Sequence, residues 1–467
     1  MPVDNFSSYF NPQGIIIAGA RRSMGFGFDI PIFLKEHGWG ERTFLVNPSG
    51  GELHGMKLYQ RVAEVPDPVD LAIVIVPANA VPGTLEEIGT RGIKHVIIES
   101  AGFAETDDKG KALQEEVEAT ARRLGLRVIG PNCVGVVNTE NRFASTDVIE
   151  EALTPGPVSI IAQSGVFGNI LLDFLHERGL FISKAITLGN RIDVNECDML
   201  DYLDDDPTTE VIIIYLEGAA DGRRLWKTLR RVTKKKPVLI LKSGKTPEGK
   251  QATASHTGSL SGEDDIYNAV FAQTGAVRAD HLDHLLDLAK TFTTQPLPKG
   301  NRFGIMTSSG SMGALATDIA VSNGLVVQPL SPSTVKQVRE IAPDWMNVKN
   351  PLDTGPSMIF NQFLPLIMND PLVDMVLAII AVPYSAMKLI KQLGMKLEDV
   401  FGDLESMRAQ FPQDKPLVMT VVGHGDFVDD ISKIAGKSIP VFTSPESATQ
   451  ALAGLWRYSR MRQDNSC

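Results

Sequence analysis

Cysteine is scarce in this chain: Cys133, Cys197 and Cys467 are the only three in 467 residues, and none stands in a CxxC pair. A disulfide framework is therefore excluded, and a reduced, intracellular setting is expected. Long apolar runs are missing as well. The longest, Met375–Val382, has the length of a buried strand and ends on Pro383, so no membrane-spanning helix is expected. Met1–Phe10 carries Asp4 and no apolar stretch, unlike a secretory signal; a soluble, cytoplasmic protein is the expectation. Basic excess is lacking too, because 45 Lys and Arg face 56 Asp and Glu, a net charge of −11. That argues against nucleic acid or an anionic membrane as a partner, while leaving room for a local basic pocket. Glycine has no triplet period, which excludes a collagen-like chain.

What is present is material for large cores. The chain is 43% hydrophobic and 22% charged, a globular composition, and its length suits about three ordinary domains. One pattern occurs three times: an apolar run, a turn of small residues, then a helical stretch closed by glycine. The copies are 15–27 (IIIAGARRSMGFG) with a helix running on to Gly38, 158–180 (VSIIAQSGVFGNILLDFLHERGL) and 303–325 (FGIMTSSGSMGALATDIAVSNGL). The apolar runs suit buried parallel strands, and the small residues let the backbone turn sharply. Helical period is read from Val166, Ile170 and Phe174, and from Met312, Leu315 and Ile319. Gly38, Gly179 and Gly324 stand where a left-handed C-cap is needed. Further strand-like runs lie at 42–47, 70–77, 94–101, 126–131, 183–190, 210–217, 237–244, 374–382, 415–423 and 439–445. The expected fold is α/β, with three doubly wound domains at 1–145, 146–296 and 297–467. The segment 294–300, with two prolines and a glycine, suits a linker.

A strand that ends at a helix N-terminus directs free N–H groups and the positive end of the helix dipole at whatever lies above the turn, which suits phosphate. For the first such turn NAD would be the default ligand. Gly19, Gly25 and Gly27 break the GxGxxG spacing, however, and the second strand ends at Asn47–Pro48 without a carboxylate for the ribose. Arg21 and Arg22 either offer cationic donors to a phosphate-rich ligand or are solvated surface residues.

Of the eight histidines, His37, His54, His95, His176 and His424 stand singly at helix ends, loops or strand edges and need no special role. His281 and His284 share a helix with Asp280, Asp283 and Asp287, where a solvated face is a better reading than a metal site. His256 stands apart. Its surroundings, 252–265 (ATASHTGSLSGEDD), are dense in Ser, Thr and Gly and read as an adaptable loop before a helix starting near Glu263. A neutral imidazole near pH 7 is a good nucleophile toward phosphorus. Glu217, at the carboxyl end of the run 211–217, is placed to orient the other ring nitrogen. A loop histidine held by the backbone is the competing reading.

On these residues the chain resembles the α subunits of the NDP-forming (ADP-forming) acyl-CoA synthetases, relatives of succinyl-CoA synthetase. The likeness covers nearly the whole chain. It rests on the glycine turns and on 130–138 (GPNCVGVVN), 162–165 (AQSG), 215–218 (YLEG), 255–262 (SHTGSLSG) and 350–355 (NPLDTG). SHTGSLSG with LEG upstream is the specific part. The resemblance implies a CoA-binding Rossmann domain followed by two flavodoxin-like domains of the succinyl-CoA synthetase type. It implies CoA held by Gly19, Ala20, Arg21, Arg22, Asn47, Val76, Pro77, Ala101, Gly102, Asn132 and Cys133. It also implies that His256 is transiently phosphorylated, that Glu217 stabilises the phosphohistidine, and that helix N-termini at Ser164–Gly165 and Ser309–Gly310 cradle the phosphate. The implied reaction is acyl-CoA + phosphate + ADP ⇌ acid + CoA + ATP, through an acyl phosphate. ADP or ATP and Mg2+ would sit on a separate ATP-grasp β subunit, in an αβ or α2β2 assembly, and no metal is expected on this chain.

Other features weigh less. Cys133 reads as a buried small residue before a reactive thiol. The basic run Arg223–Lys236 reads as a solvated helix before a partner surface, and Asn190–Asp193 is a candidate wall for the acyl pocket. A catalytically silent CoA-binding or regulatory protein of the same fold is the alternative, against which the pairing of His256 with Glu217 speaks; an NAD-dependent oxidoreductase is a further one. The carboxylic acid, the choice between ADP and GDP, and the physiological direction are not legible.

Overall fold

The computed structural model describes residues 6–25, 27–146, 148–257, 262–355, 359–394 and 396–464, without the side chains of residues 254–257, 387, 390, 391 and 399. Two sheets belong to a unit spanning Met1–Arg278 and a third to a unit spanning Ala279–Cys467.

In the first sheet the strand Ile15–Ala18 pairs in parallel with Thr43–Val46 on one side and Leu71–Val74 on the other. His95–Ile98 and Arg127–Ile129 follow outward. Ile15, Ile16 and Ile17 are buried on both faces, as a central parallel strand requires. The second sheet repeats the plan. Val158–Ala162 lies between Ile182–Thr187 and Val211–Leu216, with Val238–Lys242 beyond. By pairing, Val136–Asn138 belongs to this sheet, antiparallel to Ile182–Thr187. Ile17, Ile129, Val136, Ile161 and Ile214 share one core, so the first two sheets pack as one body. In the second unit Phe303–Thr307 lies between Leu352–Asp353 and Met375–Ala381, followed by Leu417–Val422 and Val441–Phe442, all parallel. Strand order reverses at the first strand of every copy, so each of the three glycine turns opens at a topological switch point, where doubly wound sheets bind ligands. Gly38, Gly179 and Gly324 take positive φ of 87°, 69° and 80° just past their helices, the left-handed conformation that costs glycine least.

The helices after the second and third turns bury a different face from the one their periodicity suggested. The helix Gly165–Glu177 buries Gly168, Leu171, Leu172 and Leu175, leaving Val166 68% and Ile170 42% exposed. The helix Gly310–Ser322 buries Gly313, Ala316 and Ala320, with Leu315 45% exposed. The cause is close packing on the sheet. A Cβ on Gly168 would lie 2.5 Å from the Thr187 side chain, and one on Gly313 would lie 3.0 Å from that of Thr307. Small residues must face the strands there, and the larger apolar ones face outward.

One other expectation is corrected and one is extended. His284 is buried rather than solvated. It sits in the first turn of the helix Leu282–Thr294, with its N–H bonded to the His281 ring, and burial holds its imidazole below the usual range. No cluster of three or more metal-ligating side chains occurs among the described residues. The basic run keeps a largely exposed face, as expected, and three of its cations are ion-paired in addition. Arg224 meets Asp198 at 2.7 Å, Arg231 pairs with Asp201 and Asp204, and Lys235 meets Asp204 at 3.0 Å. These pairs lace the helix Gly222–Val232 and its end to the acidic helix Glu196–Asp205. No described helix is long and apolar enough to cross a membrane.

Candidate active site

The strand Val158–Ala162 ends on Gln163 and its neighbour Val211–Leu216 ends on Glu217, both buried. Gln163 Oε1 accepts the N–H groups of Glu217 at 2.6 Å and Gly218 at 3.0 Å, while its Nε2 donates to the Gly218 carbonyl at 2.6 Å. Arg191 donates to the same carbonyl at 2.7 Å and pairs with Glu196 at 3.0 Å. The Tyr267 hydroxyl accepts the Ala219 N–H at 2.8 Å. Lys242 Nζ donates to the Glu217 carbonyl at 2.8 Å and to the Ser243 carbonyl, and lies 4.7 Å from the centre of the Tyr267 ring. The backbone from Glu217 to the Ala219 N–H is thus bonded at every polar group, which fixes where the Glu217 carboxylate starts from. Burial lowers the Lys242 ammonium to about 8.

Gln163 also leads directly into the helix Gly165–Glu177, whose N-cap Ser164 makes no side-chain cap; the first-turn N–H groups are left for a ligand or water. A cavity of about 300 Å³ opens here, bordered by Glu99, Asn132, Cys133, Gln163, Ser164, Gly165 and Asn190. Asn190 donates to Glu105 at 2.6 Å and to Gln114 at 2.8 Å, so its amide is already engaged. Burial raises the Glu105 carboxyl, but bonds from Asn190 and the N–H groups of Phe103 and Gly102 prevail and hold it below the usual range. Cys133 is buried, with its Sγ 3.3 Å from the Ile98 carbonyl. Burial, then the charge of Glu99, pushes the thiol far above its ordinary range, which makes it an inert wall residue.

A second cavity, of about 600 Å³, lies at the first glycine turn. Gly19, Arg21, Asn47, Val76, Pro77 and Ala101 border it, and Ala101 borders the smaller cavity as well. Gly19 has φ of 97°, and a Cβ there would lie 2.8 Å from the backbone of Ile75 and Val76. A phosphate-bearing, extended ligand matches this pair of cavities: the glycine lets the turn pack closely on Ile75 and Val76, and Arg21 is exposed beside it. Of the residues expected at CoA, Asn132 and Cys133 border only the smaller cavity, and Ala20, Arg22 and Gly102 border neither. The Ala20 carbonyl accepts from Asn47 at 2.9 Å, Arg22 donates to the Gly50 carbonyl at 3.0 Å, and the Gly102 N–H donates to Glu105 at 2.7 Å.

His256 falls on the helix Pro247–Thr257, not in a loop as its composition suggested; the preceding Gln and Ala residues favour helix. Its side chain, and residues 258–261, lie outside the described residues. The helix is tied to the start of the next one, Asp264–Thr274, by Lys250 and Glu263 at 2.6 Å. In the second unit the helix after Ser309–Gly310 has the same uncapped form. Asp353 lies against it, 2.7 Å from where a Gly310 Cβ would be. Gln163, Lys242 and Tyr267 carry no role in the sequence reading, and Arg191 enters it only within the candidate acyl-pocket wall 190–193. The available signal is Gln163, a polar residue directly after the apolar run Ile160–Ala162.

Comparisons with known proteins agree with this geometry. The CoA binding domain family matches residues 13–139, and the succinyl-CoA ligase like flavodoxin domain family matches residues 155–292. The α subunit of ADP-forming acetate–CoA ligase II of Pyrococcus furiosus is 40% identical, over 96% of each chain. The α subunit of ligase I from the same organism is 34% identical, over 98% of each. Among solved structures, acetyl-coenzyme A synthetase 1 of Ca. Korarchaeum cryptofilum in complex with phosphate and ADP superposes with a TM-score of 0.84 at 29% identity, over 98% of this chain and 97% of that one. A CoA-binding fold, a braced carboxylate beside an uncapped helix, and whole-length identity of this order lead to one conclusion: the chain belongs to the family of ADP-forming acid–CoA ligase α subunits.

Proposed function

We propose that this chain is the CoA and phosphohistidine half of its ligase, with His256 carrying the phosphoryl group and Glu217 stabilising it. ADP or ATP with Mg2+ would be bound by a partner of the ATP-grasp type, in an αβ or α2β2 assembly in the cytoplasm. CoA supplies the thiol that holds and releases the acyl group. The cavity at Gly19 and Arg21 would take its phosphate-bearing end, and the cavity at Asn132 and Cys133 its thiol end. Phosphate at the Ser164–Gly165 helix N-terminus attacks the thioester carbonyl, and the C–S bond breaks to give acyl phosphate and CoA. A ring nitrogen of His256 then attacks phosphorus. The bond from phosphorus to the acyl oxygen breaks, and the acid leaves as its carboxylate. Glu217 offsets the positive charge of the phosphorylated ring. Most of the acceleration in such transfers comes from positioning and charge neutralisation.

The observation that carries this reading is Gln163. It is adjacent in sequence to the Ser164–Gly165 turn and holds the Glu217 turn through three hydrogen bonds, so one side chain sets both halves of a phosphoryl site. The test is co-expression with an ATP-grasp subunit and assay of ATP formed from acyl-CoA, phosphate and ADP. Glu217→Gln should cut turnover about 100-fold with CoA affinity retained. Wild-type turnover in that variant would remove Glu217 from the chemistry. CoA binding without any phosphoryl transfer would favour the regulatory alternative.

A further inference from the structure

Glu99 is a buried carboxylate to which the proposed reaction gives no part. It follows directly on the strand His95–Ile98, and its N–H donates to the Val74 carbonyl at 3.0 Å. The residue is 2% exposed. Its side chain reaches across to the segment after Cys133, where Oε1 lies 2.9 Å from the place a Gly135 Cβ would take. A glycine at 135 thus leaves room for the carboxylate.

Residues 99–101 run along the seam of the two cavities of the first unit. Glu99 borders the smaller one, Ser100 the larger one and Ala101 both. Ser100 Oγ donates to the Val76 carbonyl at 2.6 Å, which holds this backbone to the neighbouring strand end. The smaller cavity is also bordered by Ser164 and Gly165. Glu99 therefore shares a wall with the helix start proposed for phosphate and with the place proposed for the CoA sulfur.

The thioester step needs a proton moved between those two ligands. Hydrogen phosphate brings a proton that acyl phosphate does not keep. The sulfur of CoA must gain one, since a free thiol is protonated below about pH 8.5. Among the described residues that border the smaller cavity, only Glu99 and Cys133 can titrate. Burial, then the Glu99 charge, keeps the Cys133 thiol protonated, so it does not exchange protons near pH 7. Beyond the wall, Glu105 is committed to Asn190 and to the N–H groups of Gly102 and Phe103. Glu99 remains as the group able to take a proton and return it.

We propose that Glu99 is the proton carrier of the thioester step. Its carboxylate takes the proton of hydrogen phosphate as a phosphate oxygen bonds to the carbonyl carbon. It gives that proton to sulfur as the C–S bond breaks. Acyl phosphate and the CoA thiol result, and Glu99 ends ionised as it began. The proposal rests on the ligase reading above and adds a residue to that same site.

Labelling of His256 from two donors tests it on the full chain. One donor is radiolabelled phosphate with acetyl-CoA or phenylacetyl-CoA. The other is the matching radiolabelled acyl phosphate, which enters after the C–S bond is broken. Glu99→Gln should be labelled about 100-fold more slowly than wild type from the thioester, and at the wild-type rate from the acyl phosphate. No slowing with the thioester, or equal slowing with both donors while CoA still binds, overturns the proposal. If CoA binding is lost, and with it the fold, Glu99→Ala with added formate replaces that variant. Its labelling from the thioester should rise with formate, and no rise overturns the proposal. Calorimetric titration with CoA and with desulfo-CoA, which lacks the sulfur, gives a readout apart from turnover. A thiolate beside the Glu99 carboxylate is disfavoured. In the wild type the ratio of CoA affinity to desulfo-CoA affinity should therefore fall up to about tenfold between about pH 7 and about pH 9.5. In Glu99→Gln that fall should be at least about threefold smaller; an equal fall overturns the proposal. A wild type that neither donor labels overturns the ligase reading, and this one with it.

Discussion

Gln163 and Gly218 are joined by a reciprocal pair of hydrogen bonds, amide N–H to carbonyl at 2.6 Å and backbone N–H to amide oxygen at 3.0 Å. With Glu217 bonded to the same oxygen at 2.6 Å, this turn needs a side chain that both donates and accepts at that reach. Glutamine does so; glutamate of the same length cannot donate when ionised. Gln163→Ala leaves the buried N–H groups of Glu217 and Gly218 unpaired, while the Gly218 carbonyl keeps Arg191, and should cost ~2–4 kcal/mol in urea unfolding. In Gln163→Glu the phosphoenzyme yield should fall about tenfold with CoA affinity unchanged. Full phosphorylation in that variant would mean that the turn does not position Glu217.

Gly19 makes a second prediction. A methyl group there meets the Ile75 and Val76 backbone at 2.8 Å, and the φ of 97° is strained for alanine. Gly19→Ala should therefore lose about tenfold or more in CoA affinity and ~1–3 kcal/mol of stability. Calorimetric titration with CoA checks it, and unchanged affinity would remove this turn from the CoA site.

Lys242 gives a pH signature. Its ammonium is lowered from 10.5 to about 8 by burial. Below about 8 both folded and unfolded chains hold the proton, and the folded state bears the full cost of burying it. Between about 8 and 10.5 the unfolded chain holds a proton that the folded chain has released, so stability rises with pH across that window. Lys242→Met lacks this rise. The unfolding free energy of the wild type minus that of the variant should climb from pH 8 to 10.5; a level or falling difference contradicts the assignment.

Local pattern carried the repeated strand, turn and helix. Ile15–Ile17, Val158–Ile161 and Phe303–Met306 are apolar enough to be central strands, and Gly38, Gly179 and Gly324 mark helix ends by a conformational need that no neighbour alters. Packing decided the rest. Val166 and Ile170 look like a core stripe until Gly168 must face Thr187. The strands Gly51–Leu53 and Met56–Tyr59 lack the alternation that betrays a hairpin. The polar helix Pro247–Thr257 reads as loop from its serines and threonines. The partner of Gln163 stands 54 residues away, a distance at which residue type alone gives no pairing. His256 and Glu217 are proposed from sequence because a nucleophile and a carboxylate stand in unusual local surroundings; the bracket that holds the Glu217 backbone is not visible there.

The central step of the proposed reaction is transfer to His256 of a phosphoryl group made from acyl-CoA and inorganic phosphate. Incubation of the full chain with radiolabelled phosphate and either acetyl-CoA or phenylacetyl-CoA tests this directly. The predicted result is release of CoA with an acid-labile, base-stable label on the peptide that contains His256, lost in His256→Asn and reduced in Glu217→Gln. An unlabelled wild type with both thioesters, or equal label in His256→Asn, would contradict it.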